Sequence, residues 1–296
     1  MTFKRKPEWL RMPERGSGEA AVVRSVLRRY SLDTVCRQAK CPNLDHCFQR
    51  GTATFLILGS ECTRSCRYCA IDHADSAPAP PDPDEPRRVA EASAEMGLRY
   101  VVVTSVTRDD LDDGGASHFA RTVRALRKSI AGVVIEVLTP DFSGSVTALE
   151  TVARSCPDVF NHNLETVDRL FPEVRPEASC EMSLKVLSDY GRLSPETPLK
   201  SGLMLGLGET GDEIERALAH LRERGVTMLT LGQYLQPSRR HWPVDRFLTP
   251  EEFARWGEVA RSMGFISVAS GPLVRSSFHA DVNYAGQSFP SGSSSL

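Results

Sequence analysis

This sequence predicts an α/β fold, a largely parallel sheet with helices packed outside it. Three observations point there. From about residue 53 onward, strand-like and helix-like segments alternate along the chain. Some strands are continuous apolar runs, such as RYVVVTSV (99–106), of the kind found in sheets covered on both faces. The polar stretches collect where such runs end, which is where α/β folds gather their ligands. The alternation fits a barrel or an open doubly wound sheet and does not choose between them.

The elements follow in order. TATFLILG (52–59) is a short apolar strand ending at Gly59, with a cysteine-rich loop behind it. HADSAPAPPDPDEP (73–86) holds too much proline for regular structure and reads as a connector. EPRRVAEASAEMG reads as a helix, with Pro86 in its first turn and Gly97 past its end. After RYVVVTSV, ASHFARTVRALRKSI is a helix, VVIEVLT (133–139) a strand, VTALETVARS a helix and DVFNHNLE (158–165) a strand turning polar. LKSGLMLGLGE (199–209) is a further strand and loop. Behind it, Ile214, Ala217, Leu218 and Leu221 recur at helical spacing, with Asp212 and Glu215 as a capping box and Gly225 as the stop. MLTLGQYL (228–235), PEEFARWGEVARSMG and FISVAS (265–270) complete at least six βα units. Residues 1–52 and about 271–296 fall outside this rhythm, and the terminal GQSFPSGSSSL has the composition of a disordered tail.

At 296 residues, with 41% apolar and 25% charged side chains, the chain reads as an ordinary globular protein able to bury a core. A formal net charge of −2 gives no overall reason to expect nucleic-acid binding. The N-terminal MTFKRKPEWLRMPERG lacks the apolar stretch of a signal peptide, and no apolar run reaches the roughly 18 residues of a membrane span. A cytoplasmic protein is therefore expected, in which clustered cysteines bind metal or do chemistry more often than they pair. Six of the eight cysteines lie between positions 36 and 69, and the isolated Cys156 and Cys180 read as small packing residues.

ECTRSCRYCAI (61–71) sets Cys62, Cys66 and Cys69 at C-x3-C-x2-C spacing in the loop after the first strand. Purely structural metal sites usually have four protein ligands. A zinc site here would have to borrow one, and His73 is the nearest candidate. On a four-iron cluster, three thiolates leave one iron open to a small molecule, which makes it a reaction centre. Upstream, CRQAKCPNLDHC (36–47) gives Cys36, Cys41 and Cys47 at C-x4-C-x5-C, which by itself reads equally as a zinc module completed by His46.

The C-x3-C-x2-C loop behind a first strand, with Tyr68 before the last cysteine, resembles the radical S-adenosylmethionine (radical SAM) superfamily. Combined with CRQAKCPNLDHC, TSVTRDDLDDGG (104–115), NHNLETV (161–167), KSGLMLGLGET (200–210) and RSSFHA (275–280), the chain resembles the lipoyl synthases from about residue 30 to 281. The resemblance implies a partial TIM-like (βα)6 barrel over 53–270. It adds an N-terminal extension (1–52) and a C-terminal extension (271–296) that carry an auxiliary cluster. It implies two 4Fe-4S clusters and S-adenosylmethionine as cofactors. Cys62, Cys66 and Cys69 would hold the radical-generating cluster. Cys36, Cys41 and Cys47 would hold the auxiliary one, with a serine of RSSFHA as its fourth ligand. Ser277, next to the aromatic, is the expected ligand and Ser276 the alternative. Phe48 and Phe278 stand where the family pattern has Trp and Tyr, which keeps the aromatic surface and loses a polar handle.

The implied reaction is insertion of two sulfur atoms at carbons 6 and 8 of a protein-bound octanoyl group. Those methylenes have no acidic proton and no leaving group. A 5′-deoxyadenosyl radical abstracts hydrogen, and the carbon radical takes sulfide from the auxiliary cluster, which is consumed. Tyr68, Asn161, Glu165 and Arg175 are candidate contacts to S-adenosylmethionine, Lys185 is a weaker one for its carboxylate or for the carrier, Arg275 would position the serine loop, and His162 reads as structural. Implied partners are an octanoylated lipoyl carrier domain or H protein, reduced ferredoxin or flavodoxin, and an iron–sulfur carrier that rebuilds the cluster. A monomer without nucleic acid or membrane is expected. Rival readings are another sulfur-inserting radical enzyme, a zinc-stabilised binding scaffold and a ferredoxin-like carrier. RDDLDDGG misses the calcium-loop positions, and GLMLGLGE is not a dinucleotide-binding turn.

Overall fold

The computed structural model describes residues 4–11, 18–39, 41, 43–49, 53–278 and 280–285. The Ser/Gly-rich tail expected to be disordered lies outside the described residues.

Before the barrel come α1 (Gly18–Arg29), β1 (Asp33–Thr34), α2 (Val35–Gln38) and α3 (Leu44–Gln49). The repeating units then begin with β2 (Thr54–Ile57), followed by the two-residue strands β3 (Glu61–Cys62) and β4 (Asp72–His73) and helix α4 (Glu85–Glu95). They continue through β5 (Tyr100–Ser105), α5 (Ala116–Ser129), β6 (Val134–Leu138), α6 (Val146–Ala153) and β7 (Val159–Asn161). Next are α7 (Phe171–Val174), α8 (Cys180–Leu193), β8 (Leu199–Leu205), α9 (Gly211–Glu223), β9 (Val226–Gln233), α10 (Pro250–Ser262), β10 (Ser267–Gly271) and α11 (Ala280–Ala285).

The main sheet runs β1-β2-β5-β6-β7-β8-β9-β10, and every pairing in it except β1 with β2 is parallel. Strict chain order separates this winding from a doubly wound sheet, in which the order reverses part-way. It gives six βα units and a closing strand, in a partial barrel. Among the described residues no ladder joins β10 to β2. The C-terminal segment spans that gap instead. Asn43 donates to the Leu273 carbonyl at 2.6 Å, and Thr54 Oγ1 donates to Ser277 Oγ at 2.7 Å. Gly232 on β9 is needed there, because a Cβ would meet the Val274 carbonyl at 2.1 Å.

The local signals explain most helices. Pro86 sits in the first turn of α4, and Gly97 follows its end at φ +64°. The α9 capping box is two residues earlier than expected. Thr210, extended at ψ 164°, is the N-cap and pairs with Glu213, which leaves Asp212 already inside the first turn. Helix α8 went unassigned in the sequence, although Ser179 caps it and Ser183, Val186, Leu187 and Tyr190 bury one face. Cys180 is buried, as expected of a packing residue. Cys156 is not: it is exposed, in the turn from α6 to β7 at φ +55°.

Four successive strands aim polar groups at one buried point. Lys200 of β8 reaches both oxygens of Glu136 of β6 at 2.9 Å. Tyr100 of β5 donates to the same carboxylate at 2.6 Å, and Asn161 of β7 donates at 2.8 Å. With Glu136 at 0% and Lys200 at 1% exposure, neither charge can be left alone. Lys200→Met is expected to destabilise the fold by about 3–5 kcal/mol in urea titrations, because it strands the carboxylate. The double variant Glu136→Gln/Lys200→Met should recover most of that loss, and the coupling in this cycle measures the pair.

Candidate active site

The loop bearing Cys62, Cys66 and Cys69 follows β2 and is tied from several sides. Thr63 N–H donates to Thr107 O at 3.0 Å, Arg67 N–H to Val174 O at 2.9 Å and Trp242 N–H to Arg67 O at 2.7 Å. The buried Arg64 forks onto two carboxylates. It meets Asp109 at 2.7 and 2.9 Å and Asp141 at 2.6 and 2.7 Å, so one guanidinium joins the loop to the ends of β5 and β6. Three of the four acids of RDDLDDGG are spent in this way. Asp109 holds Arg64, Asp110 holds the buried Arg108, and Asp113 accepts from the Gly115 and Ser117 amides at the start of α5.

Two backbone amides point at Cys62 Sγ, from Thr107 at 3.3 Å and Arg64 at 3.5 Å. Burial pushes the Cys69 thiol up to about 12 and raises Cys66 as well. Thiolates at such desolvated positions require compensating positive charge, and an iron–sulfur core supplies it. Amide donors to sulfur are also the contacts that tune such clusters. The donor set fits a cluster. His73, the candidate zinc ligand, is an exposed edge residue, 3.8 Å from the Asp75 carboxylate. Among the described residues no three His, Cys, Asp or Glu side chains converge on a single-ion site. A four-donor zinc centre is therefore not preformed, whereas a cluster takes its ligands at separate corners.

Above this loop lies a cavity of about 500 Å³. Its lining includes Tyr68, Cys69, His162, Asn163, Glu165 and Arg175. Glu165 sits at φ +70°, accepts from Asn163 Nδ2 at 3.0 Å, and has its carboxyl raised by burial. Arg175 is buried and donates to Asn163 O and Leu164 O at 3.3 and 3.1 Å, with its Nε left without a partner. Cys36, Cys41, Thr54, Ser276 and Ser277 line the same cavity. Cys36 lies on α2, whose N-cap Thr34 accepts from Arg37 N, and burial pushes its thiol up to about 11 against hydrogen bonds from Thr54. Cys47 lines a smaller adjoining cavity with Cys36, His46, Thr54 and Ser277.

Not every candidate lines the cavity. Asn161 turns into the barrel, donating to Glu136 and to Ser276 Oγ, each at 2.8 Å, and Asn163 lies two positions on at the cavity wall. Ser276 is further engaged by donating to Asn163 Oδ1 at 3.1 Å, whereas Ser277 is beside Cys36 and Cys47. Lys185 is exposed on α8, paired with Asp189. Arg275 lines the cavity wall. Phe48 is buried in the core, and Phe278 packs 5.9 Å from the His46 ring. Thr54, Arg64 and Asn163 were missed in the sequence. The polar strand ends TSVTRDD and PDFSG marked the partners of Arg64, but a single threonine in an apolar strand carries no signal.

Comparison with known proteins decides the family. The radical SAM superfamily profile matches residues 56–221. The lipoyl synthase of Histophilus somni is 52% identical over 284 residues, covering 95% of this chain and 88% of that protein. Those of Haemophilus influenzae and Coxiella burnetii are 51% and 50% identical, covering 95% and 96% of this chain and 88% and 90% of theirs. The chain belongs to the lipoyl synthase family. Solved structures add the fold alone. The FeFe-hydrogenase maturase HydG of Carboxydothermus hydrogenoformans superposes with TM-score 0.60 at 15% identity, over 72% of this chain and 52% of that one. Methylornithine synthase gives 0.51 at 15%, over 77% and 67%. As a lipoyl synthase the protein inserts sulfur into an octanoyl group on a lipoyl carrier, with S-adenosylmethionine, 4Fe-4S clusters and a reductant. No helix among the described residues is long and apolar enough to cross a membrane.

The cavity wall also sets a pH dependence. Burial lowers His162 to about 4, helped by Arg175, while the Thr139 carbonyl lies 2.9 Å from its Nδ1. The unfolded ring binds its proton near 6.5, so the native state binds fewer protons between about pH 6.5 and 4. Stability is therefore lost as the pH falls through that window, by up to about 3 kcal/mol from this ring. Its ring resonances in NMR should show no titration above about pH 5. His162→Gln should flatten the acid limb of the stability curve.

Proposed function

We propose that Cys62, Cys66 and Cys69 hold the cluster at which S-adenosylmethionine binds, while Cys36, Cys41, Cys47 and Ser277 hold an auxiliary cluster. One observation carries this reading. A single cavity is lined both by Cys69 and by Cys36, Cys41 and Ser277. Its wall is largely apolar, with Val35, Leu56, Leu138, Leu203 and Val274, a lining suited to an acyl chain. When bound, S-adenosylmethionine and the two clusters supply the radical and the sulfur that reach carbons 6 and 8.

The chain's own residues do the holding. Arg64, clamped by Asp109 and Asp141, fixes the loop that carries Cys62–Cys69. Arg175, with an unpartnered Nε, and Glu165 form a charged end for the amino-acid part of S-adenosylmethionine, with Tyr68 beside it. Asn163 takes the cofactor-facing role expected of Asn161, which instead steadies Ser276. Thr54 aims the Ser277 oxygen by a 2.7 Å hydrogen bond. On this reading residues 1–52 and 271–296 act as one unit around the auxiliary cluster, and 53–270 is the radical SAM barrel. The enzyme works in the cytoplasm as a monomer, without nucleic acid or membrane. Its substrate is an octanoylated lipoyl domain or H protein. Reduced ferredoxin or flavodoxin donates electrons, and an iron–sulfur carrier rebuilds the consumed cluster.

Anaerobic incubation with S-adenosylmethionine, reductant and an octanoyl-lysyl peptide tests the reading. 5′-Deoxyadenosine together with dithiolated peptide is expected, and 5′-deoxyadenosine without sulfur-bearing peptide refutes it. Reconstituted protein should hold about eight irons. Ser277→Ala should keep 5′-deoxyadenosine formation and lose sulfur insertion. Thr54→Val should weaken the auxiliary site about 10- to 100-fold, read as faster iron loss to a chelator, and Thr54→Ser should restore it.

A further inference from the structure

Among the described residues lining the main cavity, Lys6 is exposed and the rest are buried or half-buried. It therefore marks where the cavity meets solvent. The N-terminal segment that bears it is strapped across the loop between β9 and α10. Lys4 Nζ donates to the Asp245 carbonyl, and Trp9 Nε1 donates to the Leu248 carbonyl at 3.2 Å. Lys6 lies between those two ties.

The same loop supplies the other half of the opening. Gln236 and Pro237 line the cavity, and the chain then makes a tight turn from Ser238 to His241. His241 staples the turn in place, with Nδ1 at 2.8 Å from Ser238 Oγ and Nε2 at 2.9 Å from the Cys69 carbonyl. At the exposed tip of this stapled turn stand Arg239 and Arg240. Lys4, Arg5, Lys6, Arg239 and Arg240 are all exposed, and none of them has an ion pair among the described residues. Along these segments the acids are Glu8, two positions after Lys6, and the exposed Asp245, whose carbonyl accepts from Lys4. In a chain of net charge −2, these five cations, on the two segments that bring Lys6, Gln236 and Pro237 to the cavity lining, form a local field opposite to the whole.

We infer that this basic rim is the docking surface for the octanoylated lipoyl carrier domain, and that it recognises acidic residues flanking the carrier's modified lysine. The inference rests on the proposed function above and names how its substrate is selected. The octanoyl chain must enter where the cavity opens, so the domain that carries it has to sit against the rim. Charges at an interface edge act mainly on encounter rate and choice of partner, and they are screened by salt. An electron donor need only approach the cysteine loop and is not required to cover the opening. The carrier is thus the partner this geometry fits.

The test uses reconstituted holoenzyme with a chemical reductant, so that no donor protein takes part. The variant is Arg5→Glu/Arg239→Glu/Arg240→Glu, with Lys6 kept because it reaches into the cavity. Each enzyme is assayed with an octanoylated carrier domain and with a short, uncharged octanoyl-lysyl peptide. The variant should raise KM for the carrier domain by about tenfold or more at unchanged kcat, and leave the peptide reaction as it was. Wild-type KM for the carrier should climb as salt is raised, and that climb should flatten in the variant. An unchanged carrier KM, or an equal loss with carrier and peptide, overturns the proposal. Failure of the wild-type enzyme to thiolate either substrate would instead overturn the functional reading itself.

Discussion

A buried ion pair organises this protein. Glu136 and Lys200 stand on β6 and β8, with β7 between them, and each is intolerable in the interior without the other. Tyr100 and Asn161 complete the carboxylate's hydrogen bonds, so four neighbouring strands are locked in register at one point. The consequence travels outward. Asn161 also holds Ser276, Ser276 holds Asn163, and Asn163 holds Glu165 at the cavity wall. A hydrogen-bonded chain thus runs from the barrel's centre to both the C-terminal segment and the cofactor side of the cavity. Loosening the pair would loosen both.

The second constraint is the short strand β2. Thr54 at its start contacts Cys36 and Ser277, while the chain leaving its end carries Cys62 after one turn. Its four residues span roughly 13 Å at about 3.3 Å per residue. All four are buried, so neither end can shift without disturbing the core. The spacing between the two cysteine sets is therefore set by a rigid element and not by loops.

Burial works against the cysteines as acids and for them as ligands. Cys36 and Cys69 are held protonated far above the ordinary thiol range when no cation is near. A bound cationic core reverses that balance, which couples metal loading to proton release. Arg64 shows the opposite solution. Its charge is permanent and already matched by Asp109 and Asp141, so the loop it anchors is rigid before any cofactor arrives.

The local features were legible in the chain: the βα rhythm, the helix stops at Gly97 and Gly225, the two cysteine triplets and the RSSFHA motif. Each is a matter of spacing along a few residues, governed by backbone periodicity and by ligand chemistry. The capping box of α9 slipped by two because Thr210 and Asp212 are both competent caps, and only the extended backbone at Thr210 separates them. Cys156 looked like a packing residue until its turn left it in solvent. The tertiary structure alone decided that Asn161 is engaged by Glu136 and Ser276 while Asn163, two positions on and past the end of β7, lines the cavity, since only the packing of β6 and the C-terminal segment against them separates the two. It alone brought Ser277 across more than two hundred residues to Thr54, and Lys6 to the cavity that Gln236 and Pro237 also line. The sequence by itself determined which chemistry this protein can do. Where the two cysteine sets, the serine and the opening lie relative to one another was decided by packing between distant segments, because such contacts depend on how the whole sheet closes and leave no periodicity in the chain.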